Sequence, residues 1–475
     1  MTIVPVKYYI VTMTIWLPNL TDHEGPRYQA LAFAIGRAIE EGQLLPGEKL
    51  PPQRDLAFHL GVTVGTITRA YGLAERRGLV RGEVGRGTFV RGAEPETYFH
   101  NPVVDGDDDF IKLNVNSQPD LTAQHLLPQS LIKLASGNQP IGELLAYTPR
   151  IGLADHRRVA AGWASRTGAE FDPETTLITG GAHQAILIAI AGLARPGDTV
   201  LTEALVYSGV KHIASRLGVT LKGVALDDEG LCPDALDAAC RETKARLLLI
   251  NPTAHNPTTA TMSEDRRREI TKIALGHDLI VIEDDVYGQL LENRALPIAA
   301  MAPERTVYIT NASKMIAPNL RFGSISAPAT LYDRLADAQA DFFIMCPALM
   351  AAIFTQWFED GTADDLVLRQ RAEAAVRQEI ADECLKGLRY RAHPYCFHLW
   401  LELPEMWRSS SFVDALRAHG VGVDPAFIFA VDPAHSSAAV RISLSAAKNR
   451  ERLRHALEIV RSTLQRGPIG RRDTI

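Results

Sequence analysis

Cysteine is scarce in this chain of 475 residues: Cys232, Cys240, Cys346, Cys384 and Cys396 are all there are. The number is odd and no two form a C-x-x-C pair, which excludes a disulfide framework and a zinc site and points to a reducing cytoplasm. Long apolar runs are also missing. The nearest, MTIVPVKYYIVTMTIWL at the start, is broken by Pro5, Lys7 and three threonines and lacks the basic start and cleavage site of a signal peptide. Residues 1–24 therefore read as an extension, with translation starting at Met1 or at Met13. Net charge is low as well, −6 in total, which taken alone speaks against a nucleic-acid partner. What is present is ordinary for a globular protein: 46% hydrophobic, 22% charged and 7% aromatic residues, without repeats or low-complexity tracts. At roughly 150 residues per domain the length suggests about three domains.

The low total hides two segments of opposite sign. Residues 1–92 carry a net +3, leaving −9 for residues 93–475. Six arginines fall between Arg69 and Arg91, against Glu75 and Glu83 alone, the footprint expected of a phosphate-backbone binder. Residues 93–111 are rich in acids, Pro, Gly and Asn without periodicity and read as a linker between a head and a much longer body.

Within the head, residues 25–92, apolar positions 31, 35, 38 and 39 mark an amphipathic helix. Pro51 and Pro52 open a second helix that Gly61 ends, and Thr63 is an N-cap for a third. In that third helix Ile67, Ala70, Tyr71 and Ala74 face inward, while Thr68, Arg69, Gly72 and Arg76 face out. Two short helices, a tight turn and an outward Thr/Arg face are the arrangement that enters a major groove. The segment LVRGEVGRGTFV then predicts a hairpin with Gly85, Arg86 and Gly87 at its tip.

This ordered set resembles the GntR family of bacterial transcription factors from Tyr28 to Val90, through LPGEKLPPQRDLA, LGVTVGTITRAY and ERRGLVRGEVGRGTFV. The resemblance implies a winged helix-turn-helix that binds double-stranded DNA, with Arg54, Thr63, Thr66, Arg86 and Gly87 at or near the backbone. Many family members place an arginine just after the N-cap, where this chain has Val64, so base readout falls to Arg69 and to Thr66 or Thr68.

From residue 175 strands and helices alternate, which predicts a largely parallel sheet flanked by helices, followed by a smaller α+β lobe. Ligands in such sheets sit at the carboxyl ends of the strands. There stand Lys314 after TVYITNAS, with Arg321 seven residues on, and Asp284 at the end of LIVIEDD, three residues before Tyr287. A lysine able to form an imine, an arginine for a phosphate and an acid for a pyridine nitrogen suit a pyridoxal 5′-phosphate (PLP) site. Ala182 and His183 open a helix after a Gly-Gly turn, where free amides bind phosphate. Tyr207 could stack on the ring, Asn256 could bond its hydroxyl oxygen, and Arg441 could hold a carboxylate.

Together these positions resemble the fold-type I, class I/II aminotransferases over residues 112–466, through GGAHQA, Tyr207, HNPT, DDVYG, SK-x6-R and VRIS. By that resemblance Lys314 carries the PLP aldimine, Asp284 pairs with the pyridine nitrogen, and Asn256 and Tyr287 bond the ring hydroxyl. Ala182, His183 and Arg321 hold the phosphate, Arg441 the ligand carboxylate, and Tyr147 reaches the phosphate of a partner subunit, implying a homodimer. The chain departs from the family at Thr259 (usually glycine), Asn311 (often serine or threonine) and His183 (often glutamine), none of which removes the imine chemistry. Residues 467–475 read as a tail.

A GntR-type head on an aminotransferase-like body is the architecture of MocR-type regulators. The resemblance implies a cytoplasmic, DNA-binding, PLP-binding dimer that senses an amine, an amino acid or PLP itself, with no metal and no membrane. The alternative is a competent PLP-dependent aminotransferase with the head as an accessory.

Overall fold

The computed structural model describes residues 16–20, 25–40, 43–44, 48–77, 79–83, 87–90, 110–119, 123–136, 141–312, 314–432 and 437–468. They fall into two units, a head before residue 101 and a body after it.

The head comprises α1 (Arg27–Glu40), α2 (Gln53–Leu60), α3 (Val64–Arg76) and an antiparallel pair, β1 (Val80–Glu83) and β2 (Gly87–Val90). Its core is one cluster in which Leu31, Ile35 and Ala38 of α1 meet Leu56, Ala57, Ile67, Ala70, Tyr71 and Ala74, closed by Val80 and Val90. This is the inward face that the 3.6-residue period assigns. The Tyr71 hydroxyl donates to the Pro51 carbonyl at 2.7 Å, fastening α3 to the turn before α2. The segment Glu48–Leu50 bridges to β2, Lys49 opposite Phe89: Leu50 N–H donates to Thr88 O and Val90 N–H to Glu48 O.

Thr63 caps α3, its Oγ1 accepting the Thr66 amide at 3.2 Å. Thr63→Ala is expected to cost the head about 1 kcal/mol, read as faster amide exchange along α3 relative to the body. One expectation is corrected here. Gly72 is buried, because a residue with no side chain lets the helix lie close to its neighbours wherever it falls on the wheel.

In the body seven strands form one sheet: β3 (Thr176–Thr179), β4 (Thr199–Glu203), β5 (Thr220–Val224), β6 (Leu247–Ile250), β7 (Ile280–Asp284), β8 (Thr306–Asn311) and β9 (Gly323–Ser326). Their spatial order is β3-β9-β8-β7-β6-β4-β5. Neighbours pair in parallel except at β9, which runs antiparallel to both β8 and β3. Alternate residues go to opposite cores: Leu247, Leu249 and Ile282 to one side, Leu248, Ile250 and Val281 to the other. Strands covered on both faces need continuous apolar runs, which the central strands β6 (LLLI) and the first three residues of β7 (IVI) contain.

The smaller lobe is a four-stranded antiparallel sheet, β10 (Tyr390–Ala392), β11 (His398–Glu402), β13 (Ala439–Ser443) and β12 (Asp424–Pro425) in spatial order. The helices Thr362–Cys384 and Arg450–Arg466 pack on it. Ile111 and Lys112, at the end of the expected linker and the start of the expected body, pair in parallel with Val421 and Gly422 of this lobe. Among the described residues no helix is long and apolar enough to cross a membrane.

Candidate active site and DNA-reading surface

On the head, Arg54 and Arg69 are exposed, and neither has an ion pair among the described residues. The Thr63 and Thr66 hydroxyls lie 2.9 Å apart at the start of α3. The Thr68 hydroxyl is 2.7 Å from Gln53 Oε1 and 3.0 Å from Val64 O, so it braces α3 against α2 while its residue stays exposed. Gly87 begins β2 with φ +119°, and a Cβ there would come 2.6 Å from Lys49 Cε. Arg86 lies outside the described residues.

In the body the strand ends bring the expected cofactor residues to one place. Helix α4 (Ala182–Leu193) starts directly after β3 and the Gly180–Gly181 turn, so the amides of Ala182 and His183 have no helical acceptor. Gly181 has φ +95°, and a Cβ there would lie 3.1 Å from the Arg321 guanidinium. β9 passes so close beneath that a Cβ on Gly323 would fall 2.8 Å from the Gly181 backbone. The antiparallel strand thus presses the loop carrying Arg321 onto the helix start, making a cradle suited to a phosphate. The His183 and Tyr207 rings stand edge to face, 6.1 Å apart.

Asp284 ends β7 and is 8% exposed. Burial, with Asp285 and Glu203 alongside, pushes its carboxyl up to about 8, against the pull of Lys314. Its Oδ1 is buried without a hydrogen-bond partner among the described residues. An orphaned buried acceptor costs free energy unless something donates to it. A protonated pyridine nitrogen is such a donor, so the site fits the cofactor.

Lys314 lies beyond β8, its backbone N–H donating to Asn311 Oδ1 at 3.3 Å, so the residue that departs from the family supports the lysine directly. Its Nζ donates to the Asn116 carbonyl oxygen, and Asn116 Nδ2 donates to the Tyr287 hydroxyl at 2.8 Å. Burial and the cations Arg441 and Arg321 lower the Lys314 ammonium to about 8, while Asp284 works the other way.

Asn256 accepts from Arg441 Nη1 at 2.9 Å through its side-chain oxygen. Arg441 also donates through Nη2 to Asp424 at 2.5 Å and to the Asn114 carbonyl at 3.1 Å, with its guanidinium 4.7 Å from the Phe429 ring centroid. Thr259, where the family usually has glycine, sits at φ +63°, a conformation that disfavours a β-branched residue. Tyr147 is 86% exposed.

Several supporting residues escaped the sequence reading. Asn251 donates to the Asp284 carbonyl at 2.6 Å and accepts the Asn256 amide at 2.9 Å, while its own amide donates to Glu203 at 2.7 Å. Glu203 and Asp424 are acids at or within short strands, and the strand-end rule that selected Asp284 applies to Glu203 equally. Asn116 lies in NVNSQPD, which has no periodicity to mark it.

Solved aminotransferases share the body's fold. The Pyrococcus horikoshii kynurenine aminotransferase superposes with a TM-score of 0.70 at 22% identity, covering 75% of this chain and 91% of that one. An archaeal alanine:glyoxylate aminotransferase does so at 0.69 and 22%, with the same coverage. Relatives over nearly the full length are regulators by name. The uncharacterized HTH-type transcriptional regulator YdeF of Bacillus subtilis is 29% identical over 94% of this chain and 96% of its own. HTH-type transcriptional regulator TauR of Rhodobacter capsulatus is 26% identical over 86% and 91%. Residues 27–90 match the bacterial regulatory proteins of the gntR family, and residues 108–460 match aminotransferase class I and II. The chain belongs to the class I and II aminotransferase family and carries a GntR helix-turn-helix ahead of it, the composition of a MocR-type regulator.

Proposed function

We propose that this chain is a cytoplasmic transcriptional regulator that binds PLP at Lys314 and responds there to an amine, an amino acid or PLP itself. The observation that carries the cofactor is the buried, unpartnered Asp284 Oδ1 within the field of Lys314. When bound, PLP supplies an aldehyde carbon that links to an amine as an imine.

The chain's own residues do the rest. Asp284 receives the ring N–H, Tyr287 and Asn256 bond the ring hydroxyl, and Tyr207 covers the ring face. Ala182, His183 and Arg321 hold the phosphate. Asn116 steadies Tyr287 through its side-chain amide and Lys314 through its backbone carbonyl, so one residue supports both. Two copies form the working unit, each Tyr147 reaching the other's phosphate; the exposure of Leu145, Tyr147 and Ile344 supports a surface that a second copy covers. A ligand at Lys314 shifts the spacing of the two heads and with it the fit to paired half-sites.

The test is retardation of the DNA upstream of this gene by the purified full chain, with and without PLP. Affinity should fall steeply with salt, as counterion release requires. Arg69→Ala should weaken binding about tenfold or more. No retardation at low salt in either state would sink the reading, and sustained turnover between an amino acid and a keto acid would favour an enzyme instead.

A further inference from the structure

A guanidinium grips a carboxylate through one of two forks, Nη1 with Nη2 or Nε with Nη2. Both forks need Nη2. In Arg441 both Nη2 protons are committed, one to Asp424 and one to the Asn114 carbonyl, and one Nη1 proton goes to Asn256. Only Nε, which has no partner among the described residues, and a single Nη1 proton are left, and they do not form a fork.

The arrangement is built in. Asp424 and Arg441 face each other directly across the antiparallel pair β12 and β13, so the backbone register holds the two side chains together. Their side chains are 6% and 7% exposed, so the pair is desolvated. Phe429 packs on the guanidinium and Asn256 ties it towards the ring-binding side. A ligand α-carboxylate arriving here meets a neutralised arginine and, beside it, a carboxylate of its own sign. Like charges brought together in a desolvated site repel one another. Burial pushes the Asp424 carboxyl up to about 6 while Arg441 holds it down, so at neutral pH it is still mostly ionised.

We infer that the ligand recognised at Lys314 is a primary amine without an α-carboxylate, and that Asp424, by occupying Arg441, is the residue that determines this specificity. The inference rests on the PLP reading above and narrows it. Arg441 then acts as an internal partner of Asp424 and Asn256, and the clamp expected from the family resemblance is closed.

The experiment loads the full chain with PLP and titrates butylamine against norvaline, which differ only in the α-carboxylate. Two readouts are followed, the visible absorption of the bound cofactor and the thermal unfolding midpoint. Butylamine is expected to half-saturate the wild type at a concentration about tenfold or more below norvaline. Asp424→Asn keeps an acceptor for Arg441 but removes the competing negative charge, and should tighten norvaline by about tenfold while leaving butylamine within about threefold. Asp424→Glu, which keeps the charge, should keep the wild-type preference. The wild-type comparison needs no variant to fold. Equal half-saturation by the two ligands in PLP-loaded wild type overturns the inference alone, as does norvaline binding unchanged in a folded Asp424→Asn. No visible absorption on adding PLP overturns the cofactor reading and this inference together.

Discussion

Lys314→Ala is expected to abolish the visible absorption that PLP gives in the wild type and to leave the cofactor removable by gel filtration. No other described lysine shares the surroundings of Lys314, which is partly buried and within the fields of Asp284, Arg321 and Arg441. The head is untouched, so the variant should still retard its DNA but lose any response to PLP. That split separates a sensing role from a structural one. The wild type carries a second signature. Only the neutral amine attacks a carbonyl. With the ammonium lowered to about 8, the rate of PLP incorporation should rise about tenfold per pH unit below that value and level off above it. A flat profile between pH 6 and 8 would contradict the assignment, as would visible absorption retained in Lys314→Ala.

Asp284→Asn should move two measurements in opposite directions. In the folded protein without cofactor the carboxyl holds its proton up to about 8, whereas the unfolded chain releases it near 3.8. The folded state therefore binds more protons between those values, and this group makes the fold less stable as pH rises through the window. Asparagine removes that penalty. The cofactor-free variant should unfold at a higher temperature than the wild type at pH 8, by an amount worth a few kcal/mol, with the gap closing towards pH 4. Its PLP affinity should nevertheless fall by about 100-fold, because the partner of the ring nitrogen is gone. Stability gained where binding is lost marks a residue kept for function. A variant less stable than wild type at pH 8, with PLP affinity intact, would instead make Asp284 a structural acid.

The parallel strands were legible because burial on both faces demands unbroken apolar runs, and RLLLINP and LIVIEDD have little other use. β9 was not. Gly323–Ser326 is two serines, a glycine and one isoleucine, and it returns after a loop where the rest of the sheet uses helices. Its antiparallel course is a matter of where Arg321 must sit, which no periodicity records. The site residues that stood out were those whose chemistry is explicit, a lysine and an acid at strand ends. Asn116 and Asn251 act through backbone groups as well as side chains, and such partners are visible only once the chain has folded. Asp424 shows the limit most plainly: Arg441 reads as a carboxylate clamp until β12 is laid against it. In the head the period placed Ile67 and Tyr71 correctly but misplaced Gly72, since a wheel assigns a face and says nothing of clearance.

The bridged segment Glu48–Leu50 has a mechanical effect on how DNA is read. It is hydrogen-bonded into the hairpin and leads within three residues into α2, which Thr68 and Gln53 tie to α3. Hairpin and third helix are thereby yoked through one short lever and cannot be re-aimed separately. The head behaves as a gauge of fixed span: an operator half-site with one base pair inserted between the stretch facing α3 and the stretch facing the hairpin presents the wrong interval, and no local adjustment of the protein restores it.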